Sequence, residues 1–165
     1  IALLRQPKPN PPCEFLVMTN FPLTREAFKN RIPHQGSMCL IDEVIHYDDD
    51  SIHACTSTHT QPNHPLRHKD KLSSLCGIEY AGQCIAIHQS LTHSTHENPP
   101  KAGYLASVRK VNTQVKRLDD ITEVLHIHAT CLHQEPHSAM YQFKIISNNQ
   151  LLITGQLIVT TPISQ

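Results

Sequence analysis

Glu79 is the only charged residue between Ser73 and Leu91, a proline-free stretch that predicts a helix. Mapped at about 100° per residue, this helix is apolar or small on nearly every side. Ile78 and Ile85 take one flank, Tyr80, Ile87 and Leu91 the other, and Gly77, Ala81 and Cys84 the back. Such a helix is expected to be buried. Glu79, Gln83, Ala86 and Ser90 form the one narrow stripe that breaks the pattern. Desolvation raises a carboxyl pKa, so Glu79 is expected to be a proton donor near neutral pH, with Gln83 one turn away. The alternative is a Glu at a dimer seam or a solvent window, held by Gln83.

The chain has 13 histidines and six cysteines. His126 and His128 are two apart on an expected strand, so they share one sheet face, as a zinc pair would need. His93 and His96 follow the helix. Neither pair has a carboxylate or cysteine at ligand spacing, and both are read as surface histidines. His88 is expected in the core or an interface. Cys76, near the helix N-terminus, is read as a small packed residue, with a depressed thiol pKa as the reactive alternative. There is no Gly-x-Ser-x-Gly elbow and no glycine-rich phosphate loop.

The elements that must position these groups follow from pattern. Thr24 to Lys29 predicts a short helix capped by Thr24 and ended by Ile32-Pro33. Met38–Tyr47 and Ser51–Thr60 predict a hairpin turning at Asp48-Asp49-Asp50. Gln61 to Lys71 reads as a loop, with a second loop around Asn98-Pro99-Pro100. Four strands then follow: Gly103–Lys116, Thr122–His133, Ala139–Ser147 and Leu151–Thr161, the last two joined at Asn148-Asn149. One long helix among many strands predicts an α+β fold rather than βαβ units. A single domain over residues 18–165 is expected, with the proline-rich residues 1–17 as a flexible or extraneous extension.

Composition narrows the function. Lys+Arg and Asp+Glu are equal at 14 each, without the basic excess of a nucleic-acid binder. No apolar run approaches the ~18 residues of a membrane span. The six cysteines form no Cys-x-x-Cys pair, a pattern that suits a reducing cytoplasm.

Pro33-His34 followed by Met38-Cys39-Leu40-Ile41-Asp42-Glu43-Val44 resembles the first strand motif of hotdog-fold 3-hydroxyacyl-[acyl carrier protein] dehydratases. Gly77-Ile78-Glu79-Tyr80-Ala81-Gly82-Gln83 resembles the start of their central helix, with the Glu–Gln spacing kept. The likeness spans about residues 24–161 and is greatest to the dehydratase-like proteins of aryl-polyene and fatty-acid-like gene clusters. It implies a long helix wrapped by a curved antiparallel sheet, and a dimer with active sites at its interface. It implies conversion of a 3-hydroxyacyl thioester, on acyl carrier protein or coenzyme A, to the 2-enoyl thioester. No cofactor and no metal are implied.

Glu79 then matches the acid and Gln83 its orienting partner. Amides at the helix start, at Cys76 and Gly77, would polarise the thioester carbonyl. The family's base lies in a Gly-His-Phe-Pro loop, which here reads Asn63-His64-Pro65-Leu66. His64 is one candidate base, and His34, in the matched Pro-His motif, is the preferred one. Two other readings stand beside dehydration. Glu79 could activate water for thioester hydrolysis, or the chain could be the non-catalytic member of a heterodimer with a paralogous hotdog subunit. The basic residues Arg109, Lys110, Lys116 and Arg117, expected on one strand, are read as a solvated face that could meet an acidic carrier protein.

Overall fold

The computed structural model describes residues 21–93 and 103–161. Residues 1–17, His96 and the expected loop at Asn98-Pro99-Pro100 lie outside the described residues. The elements are β1 (Leu23–Thr24), α1 (Arg25–Phe28), β2 (Glu43–Tyr47), β3 (Ser51–Thr56), α2 (Gly77–Thr92), β4 (Tyr104–Thr113), β5 (Leu125–Glu135), β6 (Ser138–Ser147) and β7 (Gln150–Thr160). Short 3-10 turns at Lys29–Arg31, Gly36–Met38, Thr58–Thr60 and Ser74–Cys76 complete the described elements.

All seven strands form one antiparallel sheet in the order β1-β2-β3-β5-β6-β7-β4. Period-two alternation divides its faces. Ile52 and Ala54 of β3, Leu125 and Ile127 of β5, and Tyr141, Phe143 and Ile145 of β6 point inward and are buried. They pack against Tyr80, Ala81, Cys84, Ile85 and Ile87 of α2, which lies across β3, β5 and β6. Gly77 lets the helix sit this close. A Cβ there would lie 2.3 Å from Ile153 Cδ1 and 3.0 Å from Ile145 Cδ1. Asn148 and Asn149, both at positive φ, close the β6–β7 hairpin, the backbone twist that suits a two-residue turn.

Three expectations need correction. The strand predicted over Met38–Tyr47 starts only at Glu43, because Met38 N and Cys39 N close a turn and Leu40 bonds to side chains, so that Asp42 N is where bonding to β3 begins. Leu40 N donates to Gln83 Oε1 (2.8 Å), and Leu40 O accepts from the Thr56 and Thr58 hydroxyls. The helix is not covered all round: within one chain Ile78, Glu79, Gly82 and Ala86 remain partly exposed. Lys116 and Arg117 lie beyond the end of β4, and Arg117 is ion-paired with Asp119, so the four basic residues do not share one strand.

α1 occupies the predicted place, and Thr24 takes the N-cap position without a side-chain bond. Ser73 does cap the turn leading into α2, its hydroxyl accepting from Leu75 N at 3.2 Å. His88 is in the core, bonded to Tyr141 Oη at 2.8 Å and to Asp48 O at 2.9 Å.

Candidate active site

Gln83 organises the site. It is fully buried, and both its amide protons and its oxygen are engaged. Its Nε2 donates to Met38 O (2.7 Å) and to Glu79 Oε1 (2.9 Å), while its Oε1 accepts from Leu40 N (2.8 Å). One side chain thus ties the segment before β2 to the helix and fixes the Glu79 carboxyl. That segment folds back through Gly36, whose φ of +58° most residues avoid. Its far end is pinned at Asp42, which is ion-paired with Arg25 and accepts from Ser57 N at 2.8 Å.

This segment carries His34 to the carboxyl. His34 Nε2 lies 3.2 Å from Glu79 Oε1. The two side chains are partly exposed, 27% and 37% respectively. His34 Nδ1 is buried and has no hydrogen-bond partner among the described residues, so Nε2 is the nitrogen that meets the carboxyl.

The pKa expected for Glu79 is overturned. The hydrogen bond from His34 is the largest influence and lowers it, outweighing partial burial; Gln83 adds to the lowering. In the single chain the carboxyl is therefore ionised at neutral pH, with His34 Nε2 within ion-pairing distance of it. The sequence reading let desolvation dominate, whereas Gln83 and His34 face the carboxyl and the group stays partly exposed, as in the alternative of a solvent window.

His64 takes a different position. It is buried, and both ring nitrogens are used. Leu66 N donates to Nδ1 (3.1 Å), which fixes the proton on Nε2, and Nε2–H donates to Tyr80 Oη (2.9 Å). Tyr80 Oη meets Thr58 Oγ1 at 2.9 Å, and Thr58 Oγ1 donates to Leu40 O at 2.8 Å. Burial pushes the His64 pKa down. The structure brings Glu79, Gln83 and His34 together and leaves His64 in a separate network. Tyr80 and Thr58 were missed as the centre of that network. A tyrosine within an apolar helix was the one available signal, since a buried phenol needs a partner.

Cys76 and Gly77 also differ from expectation. Their amides donate within the 3-10 turn, Cys76 N to Ser73 O (3.0 Å) and Gly77 N to Ser74 O and Leu75 O, so neither is free for a carbonyl. Burial raises the Cys76 thiol pKa, opposite to the reactive alternative. His126 and His128 do share a sheet face, beside His53. Among the described residues no group of three or more His, Cys, Asp or Glu side chains converges as a metal cage. No helix there is long and apolar enough to cross a membrane.

Comparison with known proteins extends this geometry. The family model of ApeP-like proteins, described as ApeP dehydratase, matches residues 26–165. The structure of the dehydratase heterocomplex ApeI:P from Xenorhabdus doucetiae aligns with a TM-score of 0.71 at 23% identity, covering 82% of this chain and 91% of that one. A hypothetical thioesterase with coenzyme A from Streptococcus pneumoniae aligns with a TM-score of 0.53 at 14% identity, covering 74% and 87%. The PaaI protein of E. coli, from the phenylacetic acid degradation operon, aligns with a TM-score of 0.54 at 12% identity, covering 76% and 81%. No curated protein matches. Residues 26–165 take in the helix, the whole segment from His34 to Asp42 and strands β2 to β7, and the chain therefore belongs to the ApeP-like dehydratase family, on a hotdog fold.

Proposed function

We propose that the chain is a dehydratase subunit that converts 3-hydroxyacyl thioesters, carried by acyl carrier protein or coenzyme A, to 2-enoyl thioesters. The observation that carries this reading is the 3.2 Å contact between His34 Nε2 and Glu79 Oε1, with both side chains partly exposed. Dehydration removes a proton from the α-carbon and returns one to the departing β-hydroxyl. A histidine and a carboxyl that share one proton meet that need, and the pair ends each turnover with its starting proton count. Substrate would part the contact, with His34 facing the α-carbon as base and Glu79 facing the hydroxyl as acid. Gln83 is the positioning residue.

The working form is a dimer with a paralogous hotdog subunit. The ApeI:P structure is described as a heterocomplex, and two surfaces of this chain suit such a partner. Among the described residues strand β4 pairs only with β7, leaving the other edge of this ten-residue strand unpaired. It exposes Tyr104 (60%), Leu105 and Val108. An open edge bearing exposed apolar side chains invites another strand. The partly exposed stripe Ile78, Glu79, Gly82 and Ala86 would gain cover in the same assembly. Cover desolvates Glu79, and desolvation is the influence that raises its pKa. Assembly would thus move the carboxyl toward its proton-donating form. We place the protein in the cytoplasm, where its five described cysteines, all free, would stay reduced.

Thioester hydrolysis is the second reading. It draws on the ionised state of Glu79 in the single chain, since a carboxylate can activate water. Incubating a 3-hydroxyacyl thioester with the chain, alone and with its paralogue, separates the readings. Enoyl thioester above the rate of the paralogue alone supports dehydration, and free thiol supports hydrolysis. If the chain adds neither product, it is a non-catalytic subunit and the proposal fails.

A further inference from the structure

The outward face of the sheet carries a second histidine group that the Glu79–His34 site does not use. His53 lies on β3, and His126 and His128 lie on β5. Each alternates with a buried residue and so points away from the core. His53 is the direct cross-strand neighbour of His128. Their rings stack with centroids 4.0 Å apart and planes inclined by 17°. His53 Nε2 and His126 Nδ1 converge to 3.0 Å. The three rings border a shallow cleft of about 320 Å³, closed on its other sides by Ile146, Asn148 and Asn149.

Two imidazole nitrogens bound to one zinc-like ion at about 2.0–2.1 Å each stand about 3–3.4 Å apart for the usual bond angles. The contact between His53 and His126 is at the short end of that range. It requires a shift of a few tenths of an ångström at most. Imidazole is a borderline donor that suits zinc, nickel and copper rather than magnesium or calcium. We propose that His53 Nε2 and His126 Nδ1 form a two-histidine site for a divalent transition-metal ion on the outer face of the sheet.

The surroundings set what kind of site this is. The absence of a third converging ligand among the described residues leaves the remaining coordination positions to water. A closed structural zinc site uses four protein ligands, so this one is open and exchangeable. Stacking against His128 holds the His53 ring in its plane, which makes His128 a positioning residue. Lys144 is the cross-strand neighbour of His128 on β6, and its charge opposes a bound cation. Removing that charge should therefore tighten binding. The competing explanation for the 3.0 Å contact is a hydrogen bond between two neutral imidazoles, which needs no metal.

The test is titration of the purified full chain with Zn2+ against a chromophoric chelator. One ion per chain is expected. His53→Ala and His126→Ala should each weaken it at least about tenfold, the loss caused by removing even an outer partner of a metal ligand. The exposed His133→Ala should leave it unchanged, and Lys144→Ala should tighten it. Broadening by Ni2+ of the imidazole NMR signals of wild type gives a second measurement that does not depend on variant folding. Loss of the His53 and His126 signals, together with that of the stacked His128, ahead of the other histidines is expected. Wild-type affinity in both alanine variants, broadening spread evenly over the exposed histidines, or no saturable Zn2+ site would each overturn the proposal.

Discussion

Glu79 and Tyr80 are adjacent on α2, and each meets a histidine, yet the two pairs are built for different ends. On the Tyr80 side everything is buried and every polar atom has a use. His64 receives one bond and donates another, and Tyr80, Thr58 and Leu40 continue the chain. On the Glu79 side the pair is partly exposed, and Gln83 supplies the fixed anchor. A histidine with both nitrogens engaged in the interior holds a fold together. One that is partly exposed and meets a carboxyl across a single contact suits the exchange of that contact that the proposed reaction requires. The difference lies in where the neighbouring side chains end, and residue type alone does not reveal it.

The sharpest way to break this comparison is to substitute the two histidines in turn. His34→Gln should lower turnover of a 3-hydroxyacyl thioester by ~10²–10⁴-fold, the usual contribution of a positioned acid or base. Its denaturant midpoint should stay near wild type. His64→Ala should do the reverse. It leaves Leu66 N without its partner, takes from the Tyr80 hydroxyl one of its two partners and opens a space in the interior, at a cost of about 2–4 kcal/mol in urea unfolding. Turnover per folded molecule should hardly change. If the two phenotypes are exchanged, the assignment of His34 to the reaction and His64 to the scaffold is wrong.

A smaller effect is expected from acid. Burial holds the His59, His64 and His88 pKa values below the ordinary 6.5. Below about pH 6.5 the unfolded chain therefore takes up protons that the folded chain does not. Stability is full above that pH and declines as pH falls toward the folded-state values, by up to about 1.4 kcal/mol per pH unit for each such proton. Urea midpoints at pH 7.5 and 5.0 should show the decline, and His64→Gln should make it shallower. A midpoint independent of pH would contradict the buried network.

The smallest effect sharpens the same side. Tyr80→Phe keeps the ring and removes one hydroxyl between His64 and Thr58. About 1–2 kcal/mol of stability should be lost, with turnover unchanged.

Much of this was legible in the sequence. The alternation of buried and exposed residues in β3, β5 and β6 marks the strands, and Asn148-Asn149 marks their tightest turn. Glu79 was visible as a lone charge in an apolar helix, and Gln83 as its companion one turn on. The failures have a common cause. Residues 38–42 have strand composition, but a turn takes Met38 N and Cys39 N, and the Gln83 amide and the Thr56 and Thr58 hydroxyls take Met38 O and both backbone groups of Leu40. The ionised state of Glu79 depends on a histidine 45 positions away in sequence, and no local pattern encodes that meeting. Likewise, the amides of Cys76 and Gly77 are consumed by a 3-10 turn that propensity does not distinguish from the first turn of the helix.

Turnover of a 3-hydroxyacyl thioester by the assembled dimer carrying Glu79→Gln is the most direct test of the central claim. The substitution keeps the shape and the bond to Gln83 while removing the titrating proton. The chain's contribution to enoyl thioester formation should fall by ~10²–10⁴-fold, with an unchanged melting temperature. A rate equal to that of the wild-type dimer would show that the carboxyl beside His34 takes no part in the reaction.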